Sequence, residues 1–318
     1  MTNNLGENKS RKNKRKSNIK KKMLWGLVGL LIIVGSIIGY AYYKISHTMN
    51  KMYQPIKRER SNVNASDKPE YVKTFLILGT DQRPGDKGRT DGIILLIMND
   101  KSKKITLTSI PRDTYVEIAG TGKKTKINAA YPLKGIPGSI ATVENFTNIP
   151  IDHYIWFNME GFKKAIDAIG GIRVDVDHNV AVGVTKQFGH APLPEGKNVL
   201  LNGDQALVFS RFRYDSKGDF GRNDRQQEVL KAFLDQSKNI RSPIKINGIL
   251  DAFSNDVRMD IPKSEIYSLA MDLNDYSSNQ VEQVKYKATT GTVNGVSYVF
   301  ISDEERNRVT EILKERMK

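Results

Sequence analysis

Residues 23–43 constrain this chain more than any other segment, because all 21 of them lack a charged side chain. A helix rises about 1.5 Å per residue, so this stretch would be roughly 30 Å long, which matches the hydrocarbon core of a bilayer. Trp25 lies near one end and Tyr40, Tyr42 and Tyr43 lie at the other. Aromatic rings favour both membrane interfaces, and the stretch therefore predicts one transmembrane helix with most of the chain after it.

The charge around this stretch predicts its orientation. Residues 1–22 contain nine Lys and Arg residues and one acid, Glu7, and so carry +8 of the net charge of +15. Positive charges beside a membrane span stay in the cytoplasm, so a cytoplasmic basic tail explains the surplus better than DNA binding does. We expect a single-pass type II membrane protein with residues 44–318 outside the cytoplasm and with no nucleic acid partner.

A cleaved signal peptide is the alternative interpretation of residues 23–43. The apolar part of a signal peptide is usually about 7–15 residues long and is followed by small residues at the cleavage site. Here the stretch is longer and ends in Tyr-Ala-Tyr-Tyr-Lys, which favours an uncleaved signal anchor.

The chain also has no cysteine, which excludes disulfides, thiolate nucleophiles and Cys-type zinc sites.

The chain after the anchor divides into two parts. Residues 44–70 are polar and basic, and they predict a juxtamembrane stalk close to anionic membrane lipid. From Tyr71 onward, apolar runs and amphipathic segments alternate without a repeat or a linker, which predicts one α/β domain over residues 71–318. The predicted strands are 74–78, 93–98, 104–110, 154–158, 172–176, 281–287 and 297–301. The predicted helices are 159–169, 202–211, 222–239, 243–254, 262–274 and 303–317, with Asn202, Ser264 and Asp303 as caps.

The first segment suited to chemistry is Gly79–Gly92, which joins two apolar strands. It contains Asp81, Asp86 and Asp91 together with Arg83 and Arg89. Carboxylates at the end of a buried strand can hold a hard cation such as Mg²⁺, with substrate phosphate oxygens as further ligands. A solvated turn rich in aspartate and glycine has the same composition, and the loop taken alone favours that simpler interpretation.

Two further segments are rich in arginine. Arg112 follows an alternating strand where Pro111 ends it, although an Arg112–Asp113 surface pair would also explain its presence. Residues 211–227 contain five basic side chains around a glycine loop and the start of a helix, where an exposed basic loop is the alternative. Arginine forms bidentate contacts with phosphate, and a helix N-terminus adds backbone N–H groups. Together the acids and arginines predict phosphoryl-group chemistry on a pyrophosphate or phosphodiester beside a membrane.

These motifs resemble those of the LytR-CpsA-Psr family of cell-wall polymer transferases. The resemblance covers the whole chain and rests on the segments FLILGTDQRPGDKGRTDGIILL, ITLTSIPRDTYVEI, KINAAY, GGIRVDVD and LNGDQALVFSRFRYDSKGDFGRNDRQQ. It implies a catalytic domain with a central mixed β-sheet flanked by helices and an apolar tunnel for a polyprenyl chain. It also implies transfer of an anionic glycopolymer, such as wall teichoic acid or capsule, from an undecaprenyl-pyrophosphate carrier to peptidoglycan. The product would be a phosphodiester to the 6-hydroxyl of N-acetylmuramic acid.

The resemblance further implies roles for individual residues. Asp81 and Asp91 would hold Mg²⁺, and oxygen ligands without His or Cys would also accept Mn²⁺. The pyrophosphate would be bound by Arg89, Arg112, Arg211, Arg213, Arg222 and Gln226, with Arg225 beside this set. The catalytic residues would be Asp81, Arg89, Arg112, Arg211 and Arg213, with Asp81 as the candidate acceptor of the hydroxyl proton.

The chain departs from the family pattern at two places. Gly92 stands where members often have serine, and Tyr131-Pro132-Leu133-Lys134-Gly135 occupies the region where members often have Gly-Gly. Neither change touches the proposed charged groups, but the second alters the expected rim of the pocket and so leaves the preferred polymer and acceptor open. A lipid-pyrophosphate hydrolase would use the same arginines and aspartates, and a non-enzymatic regulator of the cell envelope is a further alternative.

Overall fold

Two long apolar strands form the centre of the fold. In the computed structural model, β1 (Val72–Thr80) pairs antiparallel with β2 (Thr90–Asn99), and most residues of both strands are buried. Because side chains alternate along a strand, Leu76 and Leu78 pack on one face of the sheet while Phe75 and Ile77 pack on the other. Strands that are apolar on both faces must be covered on both, so the sheet lies inside the fold.

The central sheet has six strands and is mixed. Its order is β10-β3-β2-β1-β6-β9, where β3 is Lys104–Ser109, β6 is His153–Phe157, β9 is Val257–Met259 and β10 is Val281–Gln283. The pairs β1–β6 and β3–β10 are parallel, and the others are antiparallel. Three two-stranded ribbons complete the strands: β4 (Tyr115–Glu117) with β5 (Lys124–Lys126), β7 (Ile172–Val176) with β8 (Gly196–Leu201), and β11 (Thr289–Val293) with β12 (Val296–Phe300).

Helices cover both faces of this sheet. They are α1 (Ala130–Thr147), α2 (Met159–Ala168), α3 (His178–Phe188), α4 (Gly203–Arg211), α5 (Gly218–Ser237), α6 (Pro243–Phe253), α7 (Lys263–Asp272) and α8 (Asp303–Arg316). Buried side chains of α1 and α8 pack on one face, and those of α5, α6 and α7 pack on the other. A third apolar cluster joins α2, α3, α4 and α5 to the β7–β8 ribbon. The expected mixed sheet flanked by helices is therefore confirmed.

Some elements differ from the sequence-based expectations. Asn202 caps α4 as expected, and its side chain accepts a hydrogen bond from the N–H of Gln205. Ser302 rather than Asp303 caps α8, and Ser264 lies within α7, which begins at Lys263. Helix α1, which is interrupted at Gly135 and contains Pro137, was not predicted from the sequence. Neither were α3, β4, β5, β8, β9 and β11. Three of these strands, β4, β5 and β9, have only three residues each, and so carry little hydrophobic periodicity.

The N-terminal end of the compact unit includes part of the predicted stalk. The structure describes residues 48, 50–59, 61–64, 68–81, 88–216, 218–237, 240, 243–272, 275–276 and 280–318. The side chain of Thr48 donates to Asp251 of α6 at 2.8 Å, and the N–H of Gln54 donates to the carbonyl of Met259 at 2.8 Å. The side chain of Arg58 pairs with Asp260 at 3.1 Å. The compact unit therefore runs from Thr48 to Lys318, rather than beginning at residue 71.

The predicted membrane anchor, residues 23–43, and the basic tail before it lie outside the described residues. In the described part of the chain, we find no helix with both the length and the apolar character that a membrane span requires. The transmembrane assignment therefore stays a prediction from the sequence.

Candidate active site

A deep cavity of about 420 Å³ lies between one face of the central sheet and the helices α2, α5 and α6. Most of its wall is apolar, and it includes Ile77 and Ile94 of the sheet, Phe162 of α2 and Leu230 of α5. The polar and charged side chains in the wall are fewer. They include Asp81, Asp91, Arg112, Gln187, Arg211, Arg213, Arg222 and Gln226. The cavity thus combines an apolar wall with a set of acids and arginines.

The register of the sheet places the acids at one edge. Gly79 lies opposite Gly92 in β2 and beside Phe157 in β6, so Asp81 and Asp91 lie at the same end of the sheet. Ser109, the last residue of β3, pairs with Ile94, and this pairing brings the Arg112 segment to that end as well. Residues that are far apart in sequence therefore meet because three strands end or begin at this edge.

The carboxylate of Asp91 is paired with Arg112. Nη1 of Arg112 donates to Oδ1 of Asp91 at 2.7 Å, and Nε of the same side chain lies 3.4 Å from Oδ2 of Asp113. Asp81 is held differently, since its Oδ1 accepts the backbone N–H of Arg89 at 3.1 Å. Both predicted metal ligands line the cavity, and Arg112 connects one of them to a second acid.

The end of α4 and the segment that follows it bring two arginines, Arg211 and Arg213, to the cavity. The side chain of Gln187 on α3 holds the backbone there at two points: Nε2 donates to the carbonyl of Arg211 at 3.4 Å, and Oε1 accepts the N–H of Arg213 at 2.9 Å. The guanidinium of Arg211 also lies 3.5 Å from the sulfur of Met159 and 5.7 Å from the ring centre of Phe188. Gln187 is a residue that the sequence analysis missed, because no motif around it signals this contact.

Two residues of α5 complete the polar wall. Arg222 is 3% exposed, and Gln226 lies one helical turn later on the same face. Oε1 of Gln226 is buried and has no hydrogen-bond partner among the described residues. A β-carbon placed on Gly92 would lie 3.6 Å from this oxygen, which is an ordinary van der Waals contact.

Two predicted site residues do not line the cavity. The side chain of Arg89 is exposed, and only its backbone contacts Asp81. Arg225 is buried, but its guanidinium pairs with Asp215 at 2.6 Å and donates to the carbonyl of Phe212 at 2.5 Å. Helical spacing does not explain this placement, because residues three positions apart share a face of a helix; the contacts with Asp215 and Phe212 decide it.

Asp113 and Lys126 form a further charged pair beside the site, which the sequence analysis did not assign to it. Nζ of Lys126 lies 2.7 Å from Oδ1 of Asp113. Burial raises the pKa of Asp113, but the hydrogen bond from Lys126 and the charge of Arg112 outweigh it, so the pKa of this carboxyl is lowered. Asp113 therefore stays ionised and holds the Nε side of Arg112.

The residues present fit a Mg²⁺ ion that takes part of its coordination shell from a substrate. Asp81 and Asp91 both line the cavity at strand ends. Within the described ranges, no group of three or more His, Cys, Asp or Glu side chains could bind a metal by itself. Mg²⁺ is commonly held by one or two carboxylates together with phosphate oxygens and water, which matches this set.

Comparison with known proteins relates the fold and the site to one group. The model of the LytR_cpsA_psr family matches residues 39–315. A Bacillus anthracis protein named polyisoprenyl-teichoic acid–peptidoglycan teichoic acid transferase TagU is 37% identical over 307 residues, which are 93% of this chain and 98% of that protein. A solved structure of TagT bound to LIIa-WTA superposes with a TM-score of 0.72 at 26% identity, covering 83% of this chain and 99% of that one. Bacillus subtilis TagV superposes with a TM-score of 0.65 at 33% identity, covering 78% and 98% of the two chains.

Proposed function

The chain belongs to the LytR_cpsA_psr family, and we propose that it is a transferase that links an anionic glycopolymer to peptidoglycan. The donor is the polymer joined through a pyrophosphate to a polyprenyl carrier such as undecaprenol. The acceptor is a sugar hydroxyl of peptidoglycan, which we assign to the 6-hydroxyl of N-acetylmuramic acid. Wall teichoic acid is the proposed polymer, because the TagU relative is named for it.

The observation that carries this proposal is the pairing of apolar walls with surplus positive charge in one cavity. Four arginines line the cavity against two aspartates among the described lining residues, so its charged part favours an anionic ligand. A polyprenyl pyrophosphate has both properties at once, since its chain suits the apolar wall and its phosphates suit the arginines.

The reaction follows from the charges at this site. The oxygen of the acceptor hydroxyl forms a bond to the phosphorus that carries the polymer, and the bond from that phosphorus to the polyprenyl phosphate breaks. The arginines neutralise the donor phosphates and stabilise the charge that develops on the leaving polyprenyl phosphate. We assign Asp81 to accept the proton of the hydroxyl. The pyrophosphate bond itself supplies the free energy, so the transfer needs no nucleotide.

We also propose that Asp81 and Asp91 hold Mg²⁺, with Mn²⁺ as a substitute. Bound there, the ion would add positive charge against the phosphate oxygens. Arg112 already pairs with Asp91 at 2.7 Å, and this contact fixes the carboxylate at the wall of the cavity.

Transfer and hydrolysis are distinguished by the fate of the polymer. The full-length protein in detergent is incubated with a polyprenyl-pyrophosphate-linked teichoic acid precursor, Mg²⁺ and peptidoglycan. We expect polymer attached covalently to the glycan and polyprenyl phosphate released in equal amounts. Free polymer at the same rate with and without peptidoglycan would instead identify a lipid-pyrophosphate hydrolase, and no turnover at all would favour a regulator.

A matched pair of variants tests the assignment of the cavity in the same assay. Ala165 lines the apolar wall on α2, whereas Ala191 is exposed. Ala165→Phe places a ring in the cavity and should lower turnover at least 10-fold by excluding the polyprenyl chain, while Ala191→Phe should leave it unchanged. A carrier shortened to a few isoprene units should be less affected by Ala165→Phe. Equal turnover by both variants would show that the lipid binds elsewhere.

We place the domain on the outer side of the cell membrane, as a single-pass type II protein. This proposal rests on the basic tail 1–22 and the uncharged stretch 23–43. Protease added to intact protoplasts should therefore degrade residues 48–318. If the domain is digested only after the membrane is broken, it lies on the cytoplasmic side and the proposed orientation is wrong.

A further inference from the structure

Arg225 has no direct access to the cavity, although it lies next to two residues of α5 that line it. We propose that Arg225 and Asp215 are positioning residues of the transfer reaction, which hold the segment that carries Arg211 and Arg213. This inference rests on the proposed function, because it assigns those two arginines to the donor phosphates.

Arg225 is attached to the segment at two points, Phe212 and Asp215. Nη1 donates to Oδ2 of Asp215 at 2.6 Å, and Nη2 donates to the carbonyl of Phe212 at 2.5 Å. The guanidinium carbon also lies 5.3 Å from the centre of the Phe212 ring, which is 1% exposed. Phe212 stands between Arg211 and Arg213 in the chain, so Arg225 fixes the backbone between the two arginines.

Asp215 connects this attachment to the start of α5. Its Oδ1 accepts the N–H of Gly218 at 2.8 Å, while its Oδ2 accepts from Arg225. Gln187 holds the same segment through the carbonyl of Arg211 and the N–H of Arg213. The segment from Arg211 to Asp215 is thus held by side chains of both α3 and α5.

The charge of Arg225 is already used within this arrangement. The side chains of Arg225 and Asp215 are only 9% and 16% exposed. At 2.6 Å their opposite charges largely cancel, so the pair presents little net charge to a ligand. An arginine that bound pyrophosphate would need its donors directed at the cavity, but two of those of Arg225 are directed at Asp215 and Phe212. Arg225 therefore contributes to transfer by holding Arg211 and Arg213 in position. A displacement of about 1 Å at a reacting centre can lower the reaction rate by a factor of about 100.

The test combines two conservative substitutions. Arg225→Lys removes the fork that reaches both Asp215 and Phe212, and Asp215→Asn keeps the shape but removes the charge. We expect each to lower kcat by about 10- to 100-fold. The Kd for a polyprenyl pyrophosphate without polymer should change by less than about 3-fold, because the lining arginines keep their charge. The double variant should be no slower than the slower single variant, because both changes break one attachment.

Direct contact with the donor would give a different pattern. In that case Arg225→Lys would weaken binding of the polyprenyl pyrophosphate as strongly as it slows transfer, Asp215→Asn would leave transfer unchanged, and the two effects would add. Any one of these three results overturns the proposal. Because the Kd is measured without turnover, it separates this failure from failure of the proposed function, in which the unaltered protein itself transfers no polymer.

A remote ion pair provides the control. Arg308 pairs with Glu305 on α8 at 2.7 Å, and neither residue lines the cavity. Arg308→Lys should leave kcat unchanged. All rates are measured well below the melting temperature of each variant. If the fall in kcat is fully explained by a smaller fraction of folded protein, the proposal is also overturned.

Discussion

Replacing Arg211 or Arg213 by alanine is expected to lower the rate of polymer transfer by a factor of about 10²–10³, with the fold intact. Both side chains line the cavity, and both are set in place by Gln187. Removing one preorganised donor from a site where charge develops costs about 3–4 kcal/mol of transition-state stabilisation. The measurement is the rate at which labelled polymer becomes attached to peptidoglycan, with circular dichroism and thermal unfolding to verify the fold.

Lysine at either position should restore only part of this loss. It keeps the positive charge but has no planar fork for two phosphate oxygens. Arg173 is the matched control, since it is exposed and its side chain donates to the carbonyl of Asn198 on the β7–β8 ribbon. Arg173→Ala should transfer polymer at the normal rate. Near-normal transfer by both Arg211→Ala and Arg213→Ala would contradict the assignment of the pyrophosphate to this part of the cavity.

The second large effect on the transfer rate is expected from the loss of a proposed metal ligand. Asp91→Asn removes one negative charge with little change in shape, and it should slow transfer by about 10- to 100-fold, since metal ions supply several kcal/mol in phosphoryl transfer. Raised Mg²⁺ should restore part of the rate. Two carboxylates alone bind Mg²⁺ weakly, so we expect Mg²⁺ and the pyrophosphate lipid to strengthen each other's binding by the same factor, as thermodynamic linkage requires.

Calorimetry of the purified protein with a polyprenyl pyrophosphate, with and without Mg²⁺, measures this coupling directly. Asp303 provides the control, because its side chain is 86% exposed on α8, and Asp303→Asn should change neither binding nor transfer. The loss of the Arg112 pair in Asp91→Asn is a separate effect, which raised Mg²⁺ would not restore. Equal lipid affinities in both conditions, together with transfer that EDTA does not inhibit, would remove the metal from the mechanism.

Much of the site could be predicted because its residues stand in short motifs at the ends of strong secondary-structure elements. The apolar runs around residues 74–78 and 93–98 predicted two buried strands, and the acids between them had to lie near the end of the sheet. Arg112 was found by the same reasoning, since it follows β3. Arg222 and Gln226, which the family resemblance implied, lie four positions apart in α5, and both line the cavity.

Other parts could not be predicted because they depend on contacts across the fold. Spacing alone did not separate Arg225 from Arg222, although one meets Asp215 and the other lines the cavity. Gln187 stands in an ordinary amphipathic helix, and only the packing of α3 against the segment after α4 gives it a role. Residues 48–59 have the composition of a stalk, yet Arg58 pairs with Asp260, which is more than 200 residues away in the chain.

The sequence by itself determined the class of fold and the kinds of side chain available for the chemistry, and it predicts a membrane anchor at residues 23–43. These properties are local, since hydrophobic periodicity, charge runs and caps act over one or two turns of a helix or one strand. Tertiary structure alone decided which arginines line the cavity, which one holds its neighbours, and how large an apolar space lies beside them. Those outcomes depend on which faces of distant elements pack together, because burial and pairing are set by contacts between residues far apart in the chain.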